Sequence, residues 1–329
     1  MLQHPRVPAS QVLDRVLVLE MVRVTEAAAV AASKWIGRGD NDSADAAAVE
    51  AMREALNELP FDGTVVIGEG ERDEAPMLYI GEKVGSAQGT GPKINIALDP
   101  LEGTTLTAKA GPNALCVLTI SEEGGLLNAP DTYMDKLAIG PGYPEGTIDL
   151  SKSVGDNIRS IAKAKGVEPD EIIACVLDRP RHEDIIAELR ELGCGVKLIS
   201  DGDVAGVIAV ADPKTSVDVY LGSGGAPEGV LAASALRCIG GQMQGRLVFR
   251  NDMEVARARR WGIEDLYRIY NLEEMAKSDC IFAATGVTDG SLLKGVHRGK
   301  NCITTESIVM RASSGTVRRV WAEHHKWED

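Results

Sequence analysis

Three short strings carry the residue types that could do chemistry. The first is Asp99-Pro100-Leu101-Glu102-Gly103-Thr104. The alternating run Lys93 to Asp99 reads as a strand that delivers Asp99 at its carboxyl end, and Pro100 is expected to end ladder pairing there. Two carboxylates three residues apart, with a glycine that lets backbone approach a ligand, suit a hard cation bridging to a phosphate oxygen. The second string is Gly68-Glu69-Gly70-Glu71-Arg72-Asp73-Glu74, with four acids in seven residues directly after the β-type run Thr64 to Ile67. Packed like charges beside a strand are costly unless cations relieve them. The third candidate, Asp45, falls in the first turn of a helix that Asp42 or Ser43 would cap. Alone, Asp45 is a helix-dipole residue and the acidic strings are solvated turns. Together, Asp45, Glu69, Asp99 and Glu102 make a two-metal carboxylate cluster. With no His or Cys in the set, Mg²⁺ or Mn²⁺ is indicated over Zn²⁺.

Further along, three expected strands end in polar groups: Asp178-Arg179-Pro180-Arg181-His182, Asp201-Gly202-Asp203 and Gly222-Ser223-Gly224-Gly225-Ala226-Pro227-Glu228. Open α/β sheets bind ligands at the carboxyl ends of their strands. Arg179 and Arg181 could clamp a phosphate, Asp201 and Asp203 could accept sugar hydroxyls, and Glu228 could reach a metal. The glycines lack G-x-G-x-x-G spacing, so a dinucleotide site is not indicated.

The elements that must position these groups follow from periodicity. Residues 15–36 and the segment after Asp42 read as amphipathic helices. Strands are expected at 113–120, 172–177, 196–199 and 217–221, and helices at 184–192, 204–211 and 228–238. This alternation predicts a mainly parallel sheet in the second half. The turn-dense segment 140–146 marks the expected boundary, giving a metal- and phosphate-binding half at 1–146 and a sugar-binding half at 147–329.

The chain has 329 residues and a formal net charge of −14, which argues against nucleic-acid or anionic-membrane partners. The apolar run 16–24 is broken by Glu20 and Arg23 and no small-residue cleavage site follows. No signal peptide or membrane span is therefore expected. Six cysteines without a C-x-x-C pair read as reduced thiols of a cytoplasmic protein.

At this level of detail the sequence resembles the bacterial class II fructose-1,6-bisphosphatases of the lithium-sensitive phosphatase superfamily, some of which also act on sedoheptulose 1,7-bisphosphate. The resemblance runs from Val24 to Arg319. It is carried by residues 66–85, by Asn128-Ala-Pro-Asp-Thr-Tyr133, by Asp201-Gly-Asp203 and by Gly224-Gly-Ala-Pro-Glu-Gly229. It implies a layered α/β/α/β/α sandwich, two α/β halves with the site between them. It implies two metal sites, Asp45 and Glu69 holding one ion and Asp99, Glu102 and Glu228 the other. It also implies that Thr104 is catalytic. The substrate contacts it implies are Glu102, Gly103, Thr104, Tyr133, Arg179, Pro180, Arg181, Asp201, Gly202, Asp203 and Gly225. The expected reaction is hydrolysis of the C1 phosphate of fructose 1,6-bisphosphate by a homodimer or homotetramer. The rivals are an inositol or nucleotide monophosphatase and a non-catalytic nucleotide-binding protein. Two positions depart from the pattern: Asn41 stands where relatives often have Lys, and Arg179 where they often have Lys.

Overall fold

The computed structural model describes residues 8–13, 15–70 and 77–325. Of the second acidic string, Glu71, Asp73 and Glu74 lie outside the described residues. The chain opens with α1 (Leu17–Ala32), whose Met21, Val24 and Ala28 recur on one buried face, and a 3₁₀ turn, Ser33–Trp35, extends it. Next come α2 (Asn41–Asn57), β1 (Asp62–Ile67), β2 (Lys83–Val84), β3 (Lys93–Glu102), α3 (Thr104–Ala108) and β4 (Leu115–Glu122). The middle of the chain forms β5 (Tyr133–Ile139), α4 (Val154–Lys165), β6 (Ile173–Leu177), α5 (Glu183–Glu191), β7 (Gly195–Ile199) and α6 (Asp203–Ile208). It continues with β8 (Val219–Gly225), α7 (Ala226–Ile239), β9 (Gln242–Val248), α8 (Asp252–Arg260), β10 (Ile269–Asn271) and α9 (Leu272–Met275). The last stretch is β11 (Cys280–Gly286), β12 (His297–Arg298), β13 (Cys302–Arg311) and β14 (Thr316–His325).

These elements make a mixed α/β protein of two compact units, each with its own sheet. Of the described residues, the first unit takes those of 8–126 and 278–325; the second takes 127–277. The expected division at 146/147 falls within the second of these units. The turn formers at 140–146 follow β5 inside the second unit. The chain re-enters the first unit because β4 needs a partner on its free side, which β11 supplies by pairing Cys280–Gly286 with Ser121–Leu115. The first sheet runs β12-β13-β11-β4-β3-β1-β2, with β14 on β13. Its core packs Met21, Val24, Met52 and Leu56 of α1 and α2 onto Ile94, Ile96, Leu98, Leu118, Ile120 and Ile281 of the strands. Each such side chain removed from water contributes about 1.5–3 kcal/mol.

The second sheet runs β10-β9-β5-β8-β6-β7. Only β6 with β7 and β6 with β8 are parallel; β5, β9 and β10 add antiparallel pairs. The expected mainly parallel sheet is thus a mixed one. The helix–strand alternation governs one flank, and long-range pairing, invisible to periodicity, supplies the other. Ile158, Ile161, Ile186 and Leu189 of α4 and α5 cover this sheet through Leu137, Val176, Val219 and Leu221. Among the described residues, no helix is long and apolar enough to cross a membrane. All six cysteines are free thiols.

Candidate active site

In the first unit, β1 and β3 run parallel with Ile67 beside Ala97. Glu69 lies two residues past the end of β1, where the chain leaves β3 and the Glu69 N–H is donated to the Leu78 carbonyl at 3.1 Å. Pro100 does not end the ladder as expected. β3 pairs with β4 through Asp99↔Val117 and resumes at Glu102↔Leu115, with one extra residue between. The missing proline N–H is tolerated because it falls in this bulge. Leu101 donates its N–H to Asp99 Oδ1 at 3.1 Å, which fixes the turn of the chain around that carboxylate.

Gly103 then takes φ 90°, the left-handed region that favours glycine, and Thr104 opens α3 with its side chain half-buried. Asp40, not Asp42 or Ser43, caps α2 by accepting the Ser43 N–H at 2.9 Å and its hydroxyl at 2.7 Å. Asp45 consequently sits one turn inside the helix, not in its first turn. Burial, with Asp42 adding to it, raises the Asp45 carboxyl above its ordinary value. Burial, then the charges of Asp99 and Asp45, push the Cys116 thiol far up. The charges of Asp99 and Asp45 thus both bear on this one thiol of β4. Asn41, the departure noted above, reaches the start of α3, with its amide 3.4 Å from Thr105 Oγ1.

In the second unit the parallel strands β6, β7 and β8 end at one edge, and antiparallel β5 begins there. Tyr133 is paired with Gly225 on one side and Val248 on the other. The loops expected at this edge do meet. Arg179 lies 3.7 Å from Asp201. Arg181 donates from Nε and Nη2 to the Ser223 carbonyl at 2.9 and 2.7 Å, and its guanidinium lies over the Tyr133 ring. Pro180 starts the 3₁₀ turn Pro180–His182 between the two arginines. Gly202, at φ 85°, turns the chain into α6, and Asp203 pairs with the buried Lys136.

The glycine-rich string is not the expected loop: β8 continues through Gly225. Its glycines are spacers. A Cβ at Gly224 would lie 2.3 Å from Asp203 Oδ2, and one at Gly225 1.8 Å from Glu228 Oε2. Glu228 sits in the first turn of α7. Burial, then the charge of Asp203, raises its carboxyl, while Lys136 acts against that shift. Its Oε2 is enclosed and has no hydrogen-bond partner among the described residues.

Three positions at this edge carry no sequence signal of their own. Lys136 is a lone lysine of a strand, His182 an ordinary residue after Arg181, and Arg250 follows β9. Their roles come from register and packing. His182 accepts the Ser223 N–H through Nε2 and contacts the Leu177 carbonyl through Nδ1, both at 2.7 Å, bolting the arginine turn to β8.

The donor set fits a hard divalent cation. In the first unit Asp45, Glu69, Asp99 and Glu102 offer oxygen only; in the second, the enclosed carboxylate oxygen of Glu228, without a partner among the described residues, is what a cation would satisfy. Among the described residues, no three His, Cys, Asp or Glu side chains are already gathered tightly enough to hold a metal. Like carboxylates repel, which opposes a collapsed cage.

Comparison with known proteins identifies the family. The sequence pattern of the family described as "Bacterial fructose-1,6-bisphosphatase, glpX-encoded" matches residues 15–324. The "Fructose-1,6-bisphosphatase 1 class 2" of Escherichia coli (strain K12) is 49% identical over 327 residues, covering 95% of this chain and 96% of that protein. The "Fructose-1,6-bisphosphatase class 2" of Shigella flexneri matches to the same extent, 49% over 327 residues. Among solved structures, the inositol monophosphatase from Anabaena (Nostoc) sp. PCC 7120 aligns with a TM-score of 0.31 and 14% identity over 60% of this chain and 72% of that one. With the family pattern spanning nearly every described residue, this chain belongs to the glpX-encoded bacterial fructose-1,6-bisphosphatases.

Proposed function

We propose that this protein is a metal-dependent phosphomonoesterase that hydrolyses the C1 phosphate of fructose 1,6-bisphosphate to fructose 6-phosphate and phosphate. The observation that carries the reading is 49% identity over 95% of the chain to a class 2 fructose-1,6-bisphosphatase. Asp45 and Glu69 are assigned to one metal ion, and Asp99, Glu102 and Glu228 to a second. Mg²⁺ or Mn²⁺, when bound, supplies Lewis-acid polarisation of the phosphoryl oxygens and a more acidic water. The chain's own residues do the rest. The Thr104 hydroxyl orients the attacking water and accepts its hydrogen bond. The backbone around Gly103 approaches the transferring group closely because no side chain intervenes. Arg179, Arg181, Tyr133, Asp201, Gly202, Asp203 and Gly225 hold the sugar and its second phosphate. Sedoheptulose 1,7-bisphosphate is a further substrate under this reading, the protein acts in the cytoplasm, and it assembles as a homodimer or homotetramer.

The test is phosphate release from fructose 1,6-bisphosphate, sedoheptulose 1,7-bisphosphate and inositol 1-phosphate with Mg²⁺ or Mn²⁺. Release from inositol 1-phosphate alone would overturn the assignment. Thr104→Ala is expected to lose roughly 100-fold or more in kcat while substrate binding holds, as for removal of a group that acts in the transition state. Unchanged turnover in that variant removes Thr104 from the mechanism.

A further inference from the structure

Two guanidiniums share the ring of Tyr133. Arg181 Cζ lies 4.9 Å from the ring centroid and Arg250 Cζ lies 4.8 Å from it. Sheet register brings them together. Tyr133 pairs with Val248 at the end of β9, and Arg250 follows two residues later. Both side chains are held in place by the protein. Arg181 is tied to the Ser223 carbonyl. Arg250 binds Glu254 through Nε at 2.7 Å and Nη2 at 2.6 Å, while Glu254 also accepts the Arg250 N–H at 2.8 Å. Asn251 caps α8 on the Glu254 N–H at 3.0 Å, so the acceptor is fixed in turn. In each arginine Nη1 has no hydrogen-bond partner among the described residues. Arg250 keeps 58% of its side chain exposed. Glu254 offsets the charge of Arg250, but Arg181 is tied only to a neutral carbonyl, so the pair on this ring keeps a positive charge that an anion would offset.

We propose that Arg250 is a substrate-binding residue that, with Arg181, grips the phosphate that is not hydrolysed, both guanidiniums being steadied by contact with the Tyr133 ring. A phosphate dianion matches the fork of arginine donors, and ring contact removes part of the rotamer freedom that binding would otherwise cost. The proposal rests on the sugar-bisphosphatase reading above and adds to it a residue and the chemical group it recognises.

The experiment compares ligands that differ in that one phosphate. Arg250→Met and Arg250→Lys are assayed with fructose 1,6-bisphosphate and with fructose 1-phosphate, and fructose 6-phosphate binding to the full chain is measured by calorimetry in Mg²⁺. Arg250→Met is expected to weaken fructose 6-phosphate binding, and to raise KM for the bisphosphate, by roughly 10- to 100-fold, the effect of losing a hydrogen bond to a charged group. For fructose 1-phosphate, kcat/KM should stay within about twofold of wild type. Arg250→Lys keeps the charge without the fork and falls between. A parallel loss on fructose 1-phosphate overturns the proposal, since it marks a general structural effect. No loss on either substrate also overturns it, as does a wild type that does not bind fructose 6-phosphate. If the wild type binds fructose 6-phosphate but does not hydrolyse the bisphosphate, the functional reading fails, and the Arg250 assignment is decided by calorimetry alone.

Discussion

Lys136 exposes none of its side chain, yet its ammonium is paired with Asp203 inside the second unit. Taking two charges out of water costs several kcal/mol per ion, which mutual attraction repays only in good geometry. The surrounding glycines supply that geometry. A Cβ at Gly224 would lie 3.2 Å from Lys136 Nζ, and one at Gly229 3.2 Å from its Cε. Removing one partner leaves the other buried and uncompensated. Lys136→Met is therefore expected to lower the unfolding free energy by about 3–5 kcal/mol in urea titration. Pairing it with Asp203→Asn should recover part of that loss, because the orphaned carboxylate is gone. Equal losses in the single and double variants would show that the pair contributes nothing. Lys136 also marks what is legible at this scale. Asp99, Glu102 and Thr104 can be picked out of the sequence because their chemistry is concentrated in six consecutive residues. Lys136, His182 and Arg250 are lone residues whose contacts with Asp203, Ser223 and Tyr133 span 67, 41 and 117 positions. Nothing local announces them.

The turn carrying Arg179, Pro180 and Arg181 owes its position to one imidazole. His182 is buried, and its Nε2 must stay unprotonated to accept the Ser223 N–H. Burial lowers its pKa below the ordinary histidine value, with Arg181 and Arg179 adding to the shift and the backbone contacts opposing it. The unfolded chain therefore binds the proton more readily than the folded one. Stability from this group is fully present above the unfolded value, about 6.5, and is lost as pH falls from there toward the folded value. The melting temperature of wild type is expected to drop more between pH 7 and pH 5 than that of His182→Asn, which cannot take up the proton. The variant itself should cost roughly 1–3 kcal/mol at pH 7 for the contacts it breaks. Identical pH slopes in the two proteins would clear His182 of the role. Elements such as this turn were legible in part. Strand–helix alternation placed β6, α5, β7 and α7 within a few residues. It failed at β8, where Gly222 to Gly225 reads as a loop but pairs as a strand, because close approach of His182, Asp203 and Glu228 leaves no room for Cβ atoms. It failed again at Pro100, where a bulge lets the strand run on.

At the scale of the whole chain, the turn formers at 140–146 lie inside one compact unit, because turn composition reports a surface loop and not which sheet a strand joins. The consequence is an asymmetry between the units. All six strands of the second sheet come from the continuous stretch 127–277. The first sheet is assembled from both ends of the sequence. β4 lies between β3, which precedes it closely, and β11, which arrives more than 150 residues later with β13 and β14 beyond it. A fragment covering 127–277 keeps every strand pair of its sheet and its own apolar core, so it is expected to fold alone, with a single cooperative urea transition followed by far-UV circular dichroism. A fragment ending at 126 leaves the β4 edge bare along residues 115–121, all of them buried in the intact chain. Such an apolar edge pairs with other copies. That fragment should aggregate when expressed alone and become soluble when 278–329 is co-expressed to restore β11. A soluble, cooperatively folding 1–126 fragment would show that the returning strands are dispensable, and the first unit would then be an N-terminal domain after all.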